Sequence, residues 1–188
     1  MLAGDVITIV DLVATAVFAI SGALAAAAQR NDILAFVLFG TITGIGGGTL
    51  RDLLLGAEAV FWLHNTEYLW TCLGASLATW FLAPYFNSVQ KVLLWADAVG
   101  MALFSVLGAV KAVQLGAPAL VAVGMGVMTA TFGSMIRDTL LNQEPVLLEP
   151  EIYVSAALLG ASSYTLLAGF EATASLAFPV AIAAAFVL

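Results

Sequence analysis

The sequence predicts an all-α membrane protein of seven transmembrane helices, built as two inverted three-helix repeats plus a seventh helix. Three observations carry this. The chain is 63% hydrophobic and 9% charged with a mean hydropathy of +1.09, whereas a soluble domain is about a quarter charged. Residues 11–82 align without a gap on residues 97–168, so that Asp11 meets Asp97, Phe18 meets Phe104, Gly22 meets Gly108, Gly47 meets Gly133 and Arg51-Asp52 meets Arg137-Asp138. Each repeat holds three apolar segments, and an odd number of crossings turns the second repeat upside down relative to the first. That is the signature of inverted-repeat proteins that move solutes or ions at the repeat interface.

The spans fall at about 6–28, 33–56, 67–83, 92–114, 118–141, 152–169 and 172–188. Most reach the roughly 17–25 residues needed to cross a bilayer core. Repeat 1 covers about 6–84 and repeat 2 about 92–169, with the extra helix at about 172–188, all in one transmembrane domain. Turn and charge signals at Asn31-Asp32, residues 84–90 and residues 144–151 mark the connections. The N-terminal stretch lacks a basic region ahead of a long apolar segment and reads as a true helix rather than a cleaved leader. Arg30 and Lys91 share one side. The positive-inside rule therefore places the N-terminus outside, in a bacterial inner (plasma) membrane, by a margin of one charge.

The formal charge of −7 with five basic residues leaves no electrostatic footprint for nucleic acid. Cys72 is the single cysteine and lies in an apolar run, where a lone thiol packs. His64 is the single histidine, in the connection beside Trp62, and a metal site needs further ligands nearby. No nucleophile, acid/base set or cofactor motif is present, so neither an enzyme nor a cofactor or metal site is expected. The Gly44–Gly48 run resembles a dinucleotide loop only in part, because no strand precedes it and it lies inside an apolar span.

Spans 2 and 5 carry the chemistry. Span 2 reads Thr43-Gly44-Ile45-Gly46-Gly47-Gly48-Thr49-Leu50-Arg51-Asp52, with four glycines in five positions. Each glycine costs about 1 kcal/mol against alanine in a helix interior. Close helix packing is one reason to keep them. The triplet points instead to a kink or break that frees backbone groups for a permeating ion. Span 5 is a weaker copy: Thr129, Thr131, Gly133 and Ser134 precede Arg137-Asp138. Gly40, Thr43, Gly47 and Arg51 are spaced by three or four residues, as are Gly126, Thr129, Gly133 and Arg137. Each set therefore shares one helix face, and this small, hydroxylated stripe ending in arginine is assigned to the repeat interface.

For Arg51 and Arg137 two readings stand: snorkelling side chains paired with an acid, or Arg–Asp pairs (with Asp52 and Asp138) guarding the two mouths of a central pathway. Asp11 and Asp97 are either interfacial carboxylates or partners of those arginines. Lys111 has alanine at its repeat equivalent, position 25, and reads as snorkelling rather than as a gate element. Trp62, Trp70, Trp80 and Trp95 read as interface anchors.

The motif Gly46-Gly47-Gly48-Thr49-Leu50-Arg51-Asp52, doubled over essentially the whole chain, resembles that of small bacterial glycine-transporter-type membrane proteins. It is also similar to the prokaryotic branch of the trimeric intracellular cation (TRIC) channels. The resemblance implies a homotrimer with a pore in each protomer, lined by spans 2 and 5 bent at their glycines and passing potassium and other monovalent cations such as sodium. By motif position Gly46, Gly47, Gly48 and Arg51 match the first bent helix, and Gly133 and Arg137 the second. Phe132-Gly133-Ser134 stands where a full triplet would, implying a shallower bend or an obstructed path. The lysine-bearing motif of animal members is absent, so voltage or calcium gating does not carry over.

The expected function is a passive monovalent cation channel in contact with membrane lipids. The alternative is a secondary transporter of a small amino acid such as glycine, whose carboxylate an arginine or a helix N-terminus would hold. A scaffold role leaves the hydroxyl stripe unexplained.

Overall fold

A computed structural model describes residues 2–143, 153–170 and 173–187. Among them lie α1 (Leu2–Ala28), α2 (Ile33–Leu54), the one-turn α3 (Phe61–His64), α4 (Glu67–Leu82), α5 (Val89–Gln114), α6 (Ala119–Leu140), α7 (Tyr153–Ala168) and α8 (Ala174–Val187), with a short 3-10 turn at Ala83–Tyr85. The connection read at 144–151, the first residues of spans 6 and 7, and Leu188 lie outside the described residues. Four helices, α1, α2, α5 and α6, are long and apolar enough to cross a membrane. At 1.5 Å per residue, the 16 residues of α4 and of α7 and the 14 of α8 rise only about 21–24 Å each.

Local chemistry sets the helix ends. Asp32 caps α2, its carboxylate accepting from the Ala35 N–H at 2.9 Å, and Ser88 caps α5 by accepting from Lys91 N–H at 3.3 Å. Ser88 starts that helix three residues before the sequence-based boundary at 92. Four helices end alike. The left-handed residues are Arg30, Gly56, Gly116 and Asn142, and in each case the following N–H reaches back five residues while the left-handed residue's own N–H reaches back three, as in Asn31 to Ala26 and Arg30 to Ala27. This is the Schellman arrangement. The four positions form two repeat-equivalent pairs, Arg30 with Gly116 and Gly56 with Asn142, and glycine supplies the conformation in one member of each.

Packing follows the same register. In the first half α1, α2 and α4 contact one another, and in the second α5, α6 and α7 do. The halves meet through α1 on α5 and α2 on α6, and α8 lies against α7 and α5. The equivalent rings of Phe18 and Phe104 touch each other with centroids 5.0 Å apart, and Gly100 leaves the room that Phe18 fills. An added Cβ at Gly22 would strike the Phe39 carbonyl and the Thr43 hydroxyl; at Gly108 it would strike their equivalents, the Met125 carbonyl and the Thr129 hydroxyl. Contacts as well as residues thus repeat.

Among the described residues two buried hydroxyls, those of Ser76 and Tyr153, have no hydrogen-bond partner. The Ser76 hydroxyl is buried without a hydrogen-bond partner and presses on Gly40. An unsatisfied buried hydroxyl costs about 1–3 kcal/mol. Ser76→Ala is therefore expected to raise stability in detergent by about 1 kcal/mol, read as a higher unfolding midpoint.

Candidate functional site

The site is built where α2 and α6 cross. Gly47 lies against the Thr129 carbonyl and Gly133 against the Thr43 carbonyl, each so close that a Cβ would overlap the oxygen. Partner numbers fall as α2 numbers rise, so the helices are antiparallel at the crossing. The two contacts are each other's equivalents in the repeat. The stripe read from sequence therefore does lie between the halves.

Its glycines act there by close approach. α2 is helical without interruption from Ile33 to Leu54 and α6 from Ala119 to Leu140, so of the expected kink or break at Gly44–Gly48 and near Gly133, the break does not occur. The physical reason is the neighbourhood. Gly40 faces Ser76, Gly44 faces Cys72 and the Thr15 carbonyl, Gly47 faces Thr129 and Gly48 faces the Phe61 ring. Gly46 alone of the triplet has ordinary room, with Ile136 and Gly133 at 3.6 and 3.7 Å from an added Cβ. The stripe's hydroxyls are also occupied. Thr43, Thr49, Thr129 and Thr131 donate to the carbonyl four residues back at 2.6–2.9 Å, and Ser134 donates to Thr131 at 3.0 Å. They retain lone pairs as acceptors.

Charged groups flank the crossing, and they differ between its two ends. At one end Arg137 is buried to 1% exposure with Asp97 and Asp138. Its Nη1 and Nη2 bond the Asp97 carboxylate in a fork at 2.9 and 3.0 Å, and its Nε donates to Asp138 Oδ1 at 2.7 Å. The Ser21 hydroxyl accepts from Arg137 and donates to Asp97. A fork of this kind fixes direction as well as charge. Arg137 and Asp97 are thus paired with each other inside the bundle, both about 1% exposed.

At the other end Arg51, 4% exposed, pairs with its neighbour Asp52 at 2.7 Å. The second oxygen of Asp52 accepts from the Phe61 N–H at 2.9 Å, and the Arg51 guanidinium lies 5.7 Å from the centre of the Phe61 ring. The short α3 thus forms because Asp52 and Arg51 hold its first residue, while Trp62 donates to Thr49 at 2.9 Å. Asp11 is not paired with Arg51; it accepts from the Tyr68 hydroxyl at 2.8 Å. Between them opens a cavity of about 330 Å³ whose lining includes Asp11, Arg51, Asn65, Tyr68, Lys111 and Gln114. Lys111 is among the residues that line this cavity.

Sequence reading did not single out Tyr68, Ser21 or Gln29, whose Nε2 donates to the Leu141 carbonyl at 2.7 Å. Each breaks the repeat: the equivalent positions hold Val154, Leu107 and Leu115. Polar residues that depart from an otherwise matching repeat were the available signal. His64 is exposed in α3, and Trp70 and Trp95 are exposed while Trp80 packs edge-on against Phe36. Among the described residues no group of acidic, histidine or cysteine side chains is disposed to hold a metal ion.

An all-helical bundle with membrane-length apolar helices and a polar, charge-paired seam between two matching halves defines a polytopic membrane protein. The family model described as "Glycine transporter" matches residues 8–84 and again 94–169, and the chain belongs to that family, which overlaps the prokaryotic TRIC-type channels. It is 40% identical over 151 residues to the inner membrane protein YadS of Escherichia coli, covering 80% of this chain and 73% of that one. It is 37% identical over 161 residues to a membrane protein of Vibrio cholerae, covering 84% of this chain but 66% of the relative, just under two thirds of its length. Among solved structures, the TRIC channel orthologue of Rhodobacter sphaeroides superposes with a TM-score of 0.94 at 46% identity, over 97% of this chain and 94% of that one. A prokaryotic TRIC channel crystallised in 0.5 M KCl gives 0.89 at 30% identity, over 97% and 92%.

Proposed function

We propose that this chain is a passive monovalent cation channel, passing potassium and sodium through each protomer between two inverted three-helix repeats, with α8 as the seventh span. The observation that carries the reading is the seam itself. The charges of Asp11, Arg51, Lys111, Asp97 and Arg137 lie between the halves, where a water-filled path makes buried charge tolerable. The path runs along the stripe of α2 and α6, past Thr43, Thr49, Thr129, Thr131 and Ser134, with the pairs Arg51–Asp52 and Arg137–Asp138 toward opposite mouths. At Arg137 one guanidinium faces two carboxylates, which favours cations. Widening at Gly47 and Gly133 requires α2 and α6 to flex at Gly44–Gly48 and Gly133, where glycine eases bending. Support comes from the described trimeric cation channel at 46% identity, which also motivates a homotrimer in the bacterial inner membrane with the N-terminus outside.

The second reading is a glycine carrier. The name of the matching family favours it, as does a cavity that offers Arg51 and Lys111 to a carboxylate and Asp11 to an ammonium group. Proteoliposomes separate the two. Wild-type protein is expected to release trapped potassium down its gradient without glycine counterflow, and Arg51→Gln to change the rate of that release. Saturable glycine uptake that Arg51→Gln abolishes, with potassium leak unchanged, would establish the carrier instead.

A further inference from the structure

We infer that the cavity beside Asp11, Arg51 and Lys111 is an anion site, taking a small inorganic anion such as chloride between the Arg51 guanidinium and the Lys111 ammonium group. The two repeat-equivalent arginines carry the argument. Every nitrogen of the Arg137 guanidinium has an acceptor in the protein: Nη1 reaches Ser21 and Asp97, Nη2 reaches Asp97 and Nε reaches Asp138. Arg51 spends Nε and Nη2 on the single oxygen Asp52 Oδ1. Among the described residues its Nη1 has no hydrogen-bond acceptor, although the residue is 4% exposed. A guanidinium offers five N–H donors and cannot lose its charge, and a buried charge left short of partners is costly.

The acceptors that serve Arg137 have no working counterparts at Arg51. Ser21 is replaced in the repeat by Leu107, which lines the cavity without a hydroxyl. Asp97 is replaced by Asp11, whose Oδ2 accepts from the Tyr68 hydroxyl instead. The second oxygen of Asp52 is taken by the Phe61 N–H. Lys111 adds a further cation where the repeat has Ala25. It stands within electrostatic reach of Asp11 but forms no ion pair among the described residues. The cavity is thus lined by two cations and one carboxylate, with the side-chain amides of Asn65 and Gln114 as further donors. Its volume of about 330 Å³ is several times the roughly 30 Å³ share of one water, so a halide enters with part of its hydration. The anion takes the place that Ser21 and Asp97 fill at Arg137.

What the anion does there rests on the reading of a cation pathway. Two fixed positive charges at one mouth repel an entering potassium ion, and a counter-ion held between them removes that barrier. Cation passage then depends on which anion is present.

The test begins with binding. In purified full-length protein at constant ionic strength, replacing bulky gluconate by chloride is expected to raise the unfolding midpoint saturably, by about 3 °C at tenfold the dissociation constant. Crystals grown with bromide are expected to show its anomalous signal between Arg51 and Lys111. Lys111→Ala, which restores the residue of the repeat equivalent, is expected to abolish both responses, and Lys111→Arg to retain them. Lys91→Ala, at an exposed cation elsewhere, is expected to leave them unchanged. Equal wild-type midpoints in chloride and gluconate would overturn the site. So would a bromide signal that persists in Lys111→Ala without any shift in midpoint, which marks an adventitious ion only. A midpoint raised by glycine and not by chloride would also overturn it and assign the same donors to an amino-acid carboxylate. In vesicles, potassium release in chloride is expected to exceed that in gluconate by about twofold or more, and Lys111→Ala to remove the difference. Equal release in the two salts, with binding intact, would overturn the counter-ion role. Binding intact with no potassium release in any salt leaves the anion site standing and sinks the cation reading instead.

Discussion

Gly47→Ala is expected to destabilise the folded protein by about 3 kcal/mol, the upper end of the overpacking range, whereas Gly46→Ala next to it is expected to be neutral or to stabilise by up to about 1 kcal/mol through helix propensity. The contrast follows from what each new methyl would meet. At Gly47 it overlaps the Thr129 carbonyl, a backbone atom in the middle of α6 that cannot turn aside. At Gly46 the nearest atoms stand at ordinary contact distance. Gly133→Ala should behave like Gly47→Ala, because it meets the Thr43 carbonyl in the equivalent way. Unfolding midpoints of the three variants in one detergent check the ordering. A Gly46→Ala loss as large as that of Gly47→Ala would mean that the glycines act through flexibility rather than through close approach.

The second large effect is expected at Arg137. Arg137→Gln leaves Asp97 buried without its cation, and breaking a buried pair by removing one partner costs about 3–5 kcal/mol. Asp97→Asn in the same chain should restore part of the loss, since the remaining amides can share hydrogen bonds without net charge. Arg51→Gln should cost less, because its partner Asp52 keeps the Phe61 N–H at 2.9 Å and the neighbouring cavity admits water. Thermal unfolding of the two single variants and the double variant measures the difference. Equal losses at Arg51 and Arg137 would contradict the inequality of the two ends.

These expectations also show what the sequence could and could not disclose. The gapless repeat, the helix spans and the stripe from Gly40 to Arg51 were legible, because periodicity and self-similarity report directly on which faces must meet. The role of the glycines was not. A glycine run has the same appearance whether it bends a helix or admits a neighbouring carbonyl, and only the position of Thr129 against Gly47 decides. The choice of partners was illegible for a related reason. Asp11 and Asp97 are equivalent by register, yet Tyr68 claims the first and Arg137 the second, and Tyr68 has no tyrosine at its repeat equivalent. The one-turn α3 was also hidden, since it is held by the Asp52 carboxylate and the Arg51 guanidinium rather than by its own four residues.

The most direct test is electrical. Purified protein in a planar bilayer between unequal potassium solutions, with glycine absent and then present, is expected to show unitary currents that reverse near the potassium equilibrium potential and are unaffected by glycine. Absence of unitary currents, together with saturable glycine uptake and counterflow by the same preparation in vesicles, would contradict a cation pathway between the repeats.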